Sequence, residues 1–240
     1  FSTNTKDDVP NRDSSDYRLD DSNLFFVNQY QGRDNLQNNQ RVNFGLDNYL
    51  TSDLFGDLDF FIGQSYRVGG NEDNTLIKNP NRQSDIINNL NWQINNNTII
   101  NWKYLIDNDT LEENYSNLSL MTKVLDLKIT SSHKSINNNF TDGNQDREEF
   151  NFKVDKKFGN NWKLGYSSTY DMSNNDTEKI KEKISLAYIG DYQFQNCLSI
   201  SLTYNNNSTS NNRDIHSENS IFLNFSFRTL GDYEYISNLF

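Results

Sequence analysis

From residue 41 onward, apolar side chains recur at every second position. Val42, Phe44, Leu46 and Leu50 alternate with Arg41, Asn43, Gly45 and Asp47, and Leu58, Phe60 and Ile62 alternate with Asp57, Asp59 and Gly63. A period of two is the signature of a strand with one greasy and one polar face. The same alternation predicts strands over residues 86–94, 100–106, 125–129, 150–158, 162–170, 184–188, 198–204 and 221–227, with a weaker stretch at 115–120. That makes about eleven strands, mostly of the ~9–11 residues that cross a bilayer obliquely. In the last of them Ile221, Leu223, Phe225 and Phe227 share one face, while Phe222, Asn224 and Ser226 share the other. Lipid on one side and water on the other would produce such a strand.

The connections sort by length. Short turns are expected near residues 51–56, 95–97, 121–123, 159–161 and 190–196. They alternate with longer polar connections near 68–84, 107–112, 132–146, 171–178 and 205–219. Periplasmic turns and extracellular loops of outer-membrane barrels differ in this way, and a soluble sandwich has no reason to sort its loops by parity. Trp102, Tyr104, Trp162 and Tyr188 fall near the expected membrane boundaries, as interfacial aromatics do.

Composition points the same way. Of 240 residues only 34% are hydrophobic and the mean hydropathy is -0.87, poor material for a water-soluble core of this size. Yet aromatics make up 13%, which is not the profile of a disordered chain. A barrel reconciles the two, because it needs only a thin apolar band. No apolar run approaches the roughly 18 residues of a membrane helix. The net charge of -11 argues against a nucleic-acid partner. Residues 1–8 form no signal peptide, and an odd strand count does not close a bacterial barrel, so the chain is expected to be a C-terminal fragment: a partial barrel with an open edge. The expected division is a loop segment over 1–38, barrel strands over 39–230 and a periplasmic tail over 231–240.

Chemistry-bearing residues are sparse. The two histidines, His133 and His216, read as solvated loop residues, and a hydrolase reading would have to rest on His133 with Ser131 or Ser132. Asp7–Asp8, Asp20–Asp21 and Glu112–Glu113 read as solvated acidic faces rather than metal sites. Arg41, Asp47, Asp57, Asp59, Lys103, Asp126, Lys128, Lys153 and Lys163 mix both signs on the polar faces, which suits a hydrated lumen. Cys197 is the only cysteine: a small buried residue, a free thiol or half of a bond to a partner elsewhere.

Several segments resemble the LptD (Imp/OstA) family of outer-membrane LPS-assembly proteins, in its alphaproteobacterial form. The stretch from Val9 through Pro10, Asn11, Arg12 and Asp13 to Ser14 resembles the family's Pro-Asn-Glu-Asp-Ser loop. Asn23 to Asp34, with Gly32 before the closing Arg33-Asp34, resembles its Asn-Leu-Phe-Ser to Ser-Gly-Tyr-Asp stretch. Arg41-Val42-Asn43-Phe44-Gly45-Leu46 and Gly63-Gln64-Ser65-Tyr66-Arg67 resemble two of its strands, and Ser84-Asp85 the opening of the next. Asn196-Cys197 through Tyr204 resembles its late hairpin.

The resemblance implies a barrel of about 26 strands, of which this chain would be the C-terminal portion. It implies a transporter in the cell outer membrane, not an enzyme, with no cofactor or metal. The partners it implies are lipopolysaccharide, outer-membrane lipids, a plug lipoprotein and a periplasmic bridge protein, with Cys197 bonded to a cysteine of an N-terminal domain. Lipopolysaccharide would leave through a lateral gate between first and last strands, which assigns Ile221, Phe222, Leu223, Asn224, Phe225, Ser226 and Phe227 to the closing strand, an unpaired edge in this chain. A general porin or adhesin, or an outer-membrane phospholipase, would carry the same strand pattern.

Overall fold

A computed structural model of the chain describes residues 19–26, 39–70, 82–137, 146–173, 177–189, 198–208, 217–227 and 231–239. Among them are twelve strands: β1 (Asn39–Ser52), β2 (Gly56–Gly70), β3 (Ile86–Asn95), β4 (Thr98–Ile106), β5 (Glu113–Val124) and β6 (Leu127–Ile136). The second half comprises β7 (Arg147–Phe158), β8 (Trp162–Asp171), β9 (Glu178–Ile189), β10 (Leu198–Asn207), β11 (Glu218–Phe227) and β12 (Gly231–Leu239). Each pairs with its neighbours in the chain, in the order β1 through β12, and among the described residues the sheet is not closed. The fold is all-β: an antiparallel, partial β-barrel.

Two compact units divide the chain, one of residues 1–95, 100–118 and 135–146, the other of 96–99, 119–134 and 147–240. In the first unit, register places Asn43 opposite Ser65, Gly45 opposite Gly63 and Asp47 opposite Phe61 on the polar face. Val42, Phe44, Leu46 and Leu50 occupy the other face, each 52–56% exposed. In the second unit, Val154, Tyr166 and Ile184 form one apolar row, and Asp155, Gly165 and Ser185 the polar row beside it. Apolar residues thus face outward in both units, where a water-soluble sheet would have buried them.

Tight turns sit where the chain supplies them. Gly56 (φ 77°) follows the turn at 53–55, and Gly159 (φ 56°) opens the one at 159–161. Asn96-Asn97 joins β3 to β4. The turn expected near 121–123 lies instead at 125–126, so β5 is longer than the pattern suggested. Leu118, Leu120, Thr122 and Val124 keep the alternation running, and Thr122 bonds Thr98 across the sheet, Oγ1 to Oγ1, at 3.1 Å. The chain then reverses through Leu125, 98% exposed with φ 55°, a left-handed conformation that a leucine rarely adopts.

Two further expectations are corrected. Residues 231–239, read as a tail, form β12. β11 is therefore not an edge: Leu202 and Tyr235 both lie opposite Leu223, from β10 and β12. Asp232-Tyr233-Glu234-Tyr235 does alternate, but the run is short and rich in acidic residues, and pairing with β11 satisfies its backbone. His133 is also not a loop residue. It lies within β6, with Nε2 2.7 Å from Glu148 Oε1.

Candidate functional site

In the first unit the polar face carries a seated segment, Leu19 to Phe26. Its turn is closed locally: Asp20 Oδ1 accepts from the backbone N–H of Ser22 (2.9 Å) and Asn23 (3.2 Å), while Asn23 Oδ1 accepts from Asp20 N–H at 2.8 Å. This ring of short polar side chains fixes a compact bend without a helix or strand. The bend presents Leu24, which is 0% exposed and clusters with Leu19, Ile87, Leu105 and Tyr115.

Two glycines make the seat. Gly45 and Gly63 face each other across β1 and β2. A Cβ on Gly63 would fall 2.6 Å from Leu24 Cδ2 and 2.7 Å from the Phe61 ring; one on Gly45 would fall 2.9 Å from that ring. The missing side chains leave the depression that Phe61 and Leu24 fill. Polar contacts pin its rim. Asn43 Nδ2 donates to Leu24 O at 2.6 Å, and Ser65 Oγ donates to Asn43 Oδ1 at 2.7 Å. Asp21 Oδ1 meets Lys103 Nζ at 2.7 Å, and Asp21 Oδ2 accepts from Asn89 Nδ2 at 2.7 Å.

Beyond β2 the same residues organise a polar cluster. Ser84 Oγ accepts from Ser65 N–H at 2.9 Å, and Ser84 N–H donates back to Ser65 O at 2.8 Å. Gln64 Nε2 donates to Ser84 O and to Asn108 Oδ1, both at 2.9 Å. Asn108 belongs to the turn that Asp107 closes. Asp107 Oδ1 accepts the N–H groups of Asp109 and Thr110 at 2.8 Å each, and Asn114 Nδ2 donates to Asp85 Oδ2 at 3.0 Å.

The Thr110 N–H, followed by that of Asp109 and the Asn114 amide, holds the Asp107 carboxyl below its ordinary value of 3.8, outweighing partial desolvation. A depressed folded-state pKa contributes stability that is full above the ordinary value and is lost as pH falls through the folded one. Amide exchange at Thr110 and Leu111 is therefore expected to accelerate only below about pH 4. An Asp107→Asn variant should show no such acid step.

In the second unit the polar face centres on Asp155, between Lys153 Nζ at 3.3 Å and Lys163 Nζ at 3.6 Å. Gly165 lies opposite, where a Cβ would come 2.9 Å from the carboxylate. Two lysines thus flank one carboxylate on that face.

Residues 2–162, more than half of the chain, match the family described as LptD: LPS transport system D. The chain belongs to the LptD family. Membership places it in lipopolysaccharide transport and among outer-membrane proteins. No curated protein matches the chain.

The match ends at Trp162, so within LptD terms it takes in the seated segment, the glycine pair and strands β1 to β7. The structure brings together Asn43, Gly45, Gly63, Gln64, Ser65 and Ser84 of the motif segments, and Tyr66 bridges to Gln83. Arg41 and Arg67 lie opposite each other in β1 and β2. Pro10, Asn11, Asp13, Ser14, Gly32, Asp34, Cys197 and His216 lie outside the described residues. Sequence reasoning missed Asp21, Asn89 and Leu19 as partners of the seat. Asp20–Asp21, read as a solvated acidic face, is spent internally on the turn and on Lys103. His133 pairs with Glu148, and among the described residues neither Ser131 nor Ser132 is hydrogen-bonded to it.

Proposed function

We propose that this chain forms wall strands of an outer-membrane β-barrel that inserts lipopolysaccharide into the outer leaflet, and that the barrel opens sideways along β12. The family match carries the reading. Strands with an exposed apolar face and a charged, hydrogen-bonded opposite face support it, since such strands separate lipid from a hydrated lumen. The process is transport, with no bond made or broken. Its partners are lipopolysaccharide, a plug lipoprotein against the polar face, a periplasmic bridge protein and the surrounding lipids.

The gate belongs to β12 rather than β11. Among the described residues β12 pairs on one side only, and an edge strand is where a neighbour can be exchanged for a passing lipid. Cysteine pairs that lock β12 to the barrel strand it meets should abolish delivery, read as lipopolysaccharide reaching antibody on intact cells. A control tether between β11 and β12, at the register pair Phe222 and Ile236, should leave delivery unchanged. Normal delivery through the locked barrel would place the exit elsewhere.

A further inference from the structure

On the apolar face of the second unit, two cross-strand rows run from β7 to β11. One is Lys156, Leu164, Leu186, Leu202 and Leu223; the next, nearer the 159–161 turn, is Phe158, Trp162, Tyr188, Ile200 and Phe225. Between them Trp162, Leu186, Tyr188, Ile200 and Leu202 line a groove of about 320 Å³. Its walls are hydrocarbon and aromatic ring, with the Trp162 and Tyr188 centroids 5.1 Å apart. That volume falls in the range of ~300–1,000 Å³ of clefts that hold small ligands.

Three polar groups at this end are unspent among the described residues. Trp92 Nε1 donates to Phe55 O and Trp102 Nε1 to Ser116 Oγ, but Trp162 Nε1 has no acceptor among the described residues. Tyr166 and Tyr204 hydroxyls bond Glu182 and Asn219, whereas the Tyr188 hydroxyl bonds no described residue. Lys156 is a cation in the apolar row, its ammonium held over the Phe158 ring at 4.9 Å, with no carboxylate partner among the described residues. A lysine there is tolerated because its stem lies along apolar surface while its head reaches the interface. Leu186 is two strands away, about 10 Å at the usual strand spacing, a span that one lipid molecule bridges.

We propose that this face is a binding site for an anionic glycerophospholipid of the bilayer, with the phosphate on Lys156, glycerol-ester oxygens on Trp162 and Tyr188, and one acyl chain in the groove. The proposal rests on the barrel reading, with the short turns on the periplasmic side, and is independent of the gate. Charge complementarity selects the ligand: a cation with no carboxylate partner among the described residues, beside an apolar groove, favours an anionic headgroup over a zwitterionic one. An apolar protein segment would leave the ammonium, the indole N–H and the phenol without partners.

The test uses the full-length protein in nanodiscs containing phosphatidylglycerol or phosphatidylcholine, each with a photoactivatable acyl chain, and maps adducts by peptide mass spectrometry. Phosphatidylglycerol adducts on residues 156–166, 184–188 and 199–202 should exceed phosphatidylcholine adducts about fivefold, the discrimination that one lysine near an anionic surface supplies. Lys156→Ala should erase that excess, Lys156→Arg should keep it, and Leu186→Trp should reduce adducts of both lipids. Lys156 is exposed, so its variants leave folding untouched and the test valid even if Leu186→Trp misassembles. Equal yields from the two lipids, or an excess unmoved by Lys156→Ala, would mean annular lipid only and overturn the site. Delivery of lipopolysaccharide to the surface is a separate readout, so failure here and failure of the transport reading are distinguishable.

Discussion

Gly63→Val is expected to unseat residues 19–26 while leaving the β1–β2 pairing in place. The substituted Cβ alone would sit 2.6 Å from Leu24 Cδ2 and 2.7 Å from Phe61 Cζ, closer than real Cβ contacts come. Phe61 is held by strand packing, so the segment that yields is the short bend carrying Leu24. Its release exposes a fully buried leucine and removes the acceptor from Asn43. Burial of one such side chain stabilises by about 1.5–3 kcal/mol, and truncations of buried leucines cost about 2–5 kcal/mol. Hydrogen exchange checks the expectation: the Leu24 amide, which donates to Asp20 O at 3.1 Å, should lose protection, while amides of β1 and β2 keep theirs. Leu24→Ala should give a smaller loss, because the bend closed by Asp20 and Asn23 is left intact. Full protection of Leu24 in Gly63→Val would show that the glycine is not what seats the segment.

Two neighbouring substitutions on β10 test the sidedness of the sheet. Leu202 and Thr203 are consecutive and central in Leu198–Asn207, but Leu202 is 49% exposed on the apolar face while Thr203 pairs with Ser185 and Phe222 on the other. Leu202→Arg should destabilise the folded barrel in bilayers by about 1–2 kcal/mol, less than the ~2–4 kcal/mol of an arginine at the membrane midplane, because its row also holds Lys156, whose head reaches the interface. Thr203→Arg should cost far less, since its side chain lies on the face opposite to Leu202, turned away from lipid. Urea titrations of both variants in the same lipid give the comparison, and equal losses would mean that the apolar face does not meet lipid.

Much of this architecture is legible in the chain because a strand's side chains alternate by geometry alone. Val42, Phe44 and Leu46 declare the apolar face of β1 whatever packs around them, and Gly159-Asn160-Asn161 declares its turn by backbone preference. Legibility fails where a local signal is weak or misleading. Met121-Thr122-Lys123 looks polar enough to end a strand, yet Thr122 bonds Thr98 and carries the strand on to Val124. Gly231 to Leu239 is too short and acidic to announce itself, and only pairing with β11 makes it a strand.

The site divides along the same line. The motif glycines Gly45 and Gly63 stand out in the sequence, but the reason for them does not, because it depends on a leucine 39 positions before Gly63 coming to rest over the pair. Asp21 and Lys103 are 82 residues apart and meet only because β4 lies under the bend. By itself the sequence determined the all-β class, the facing of each strand and the family resemblance, all of which depend on periods and short motifs that survive without a partner. Tertiary structure decided the seat of Leu24, the internal use of Asp21, the pairing of His133 with Glu148 and the pairing of β12 with β11. Those are contacts between distant segments, and no local preference encodes which distant residue will fill a gap or accept a hydrogen bond.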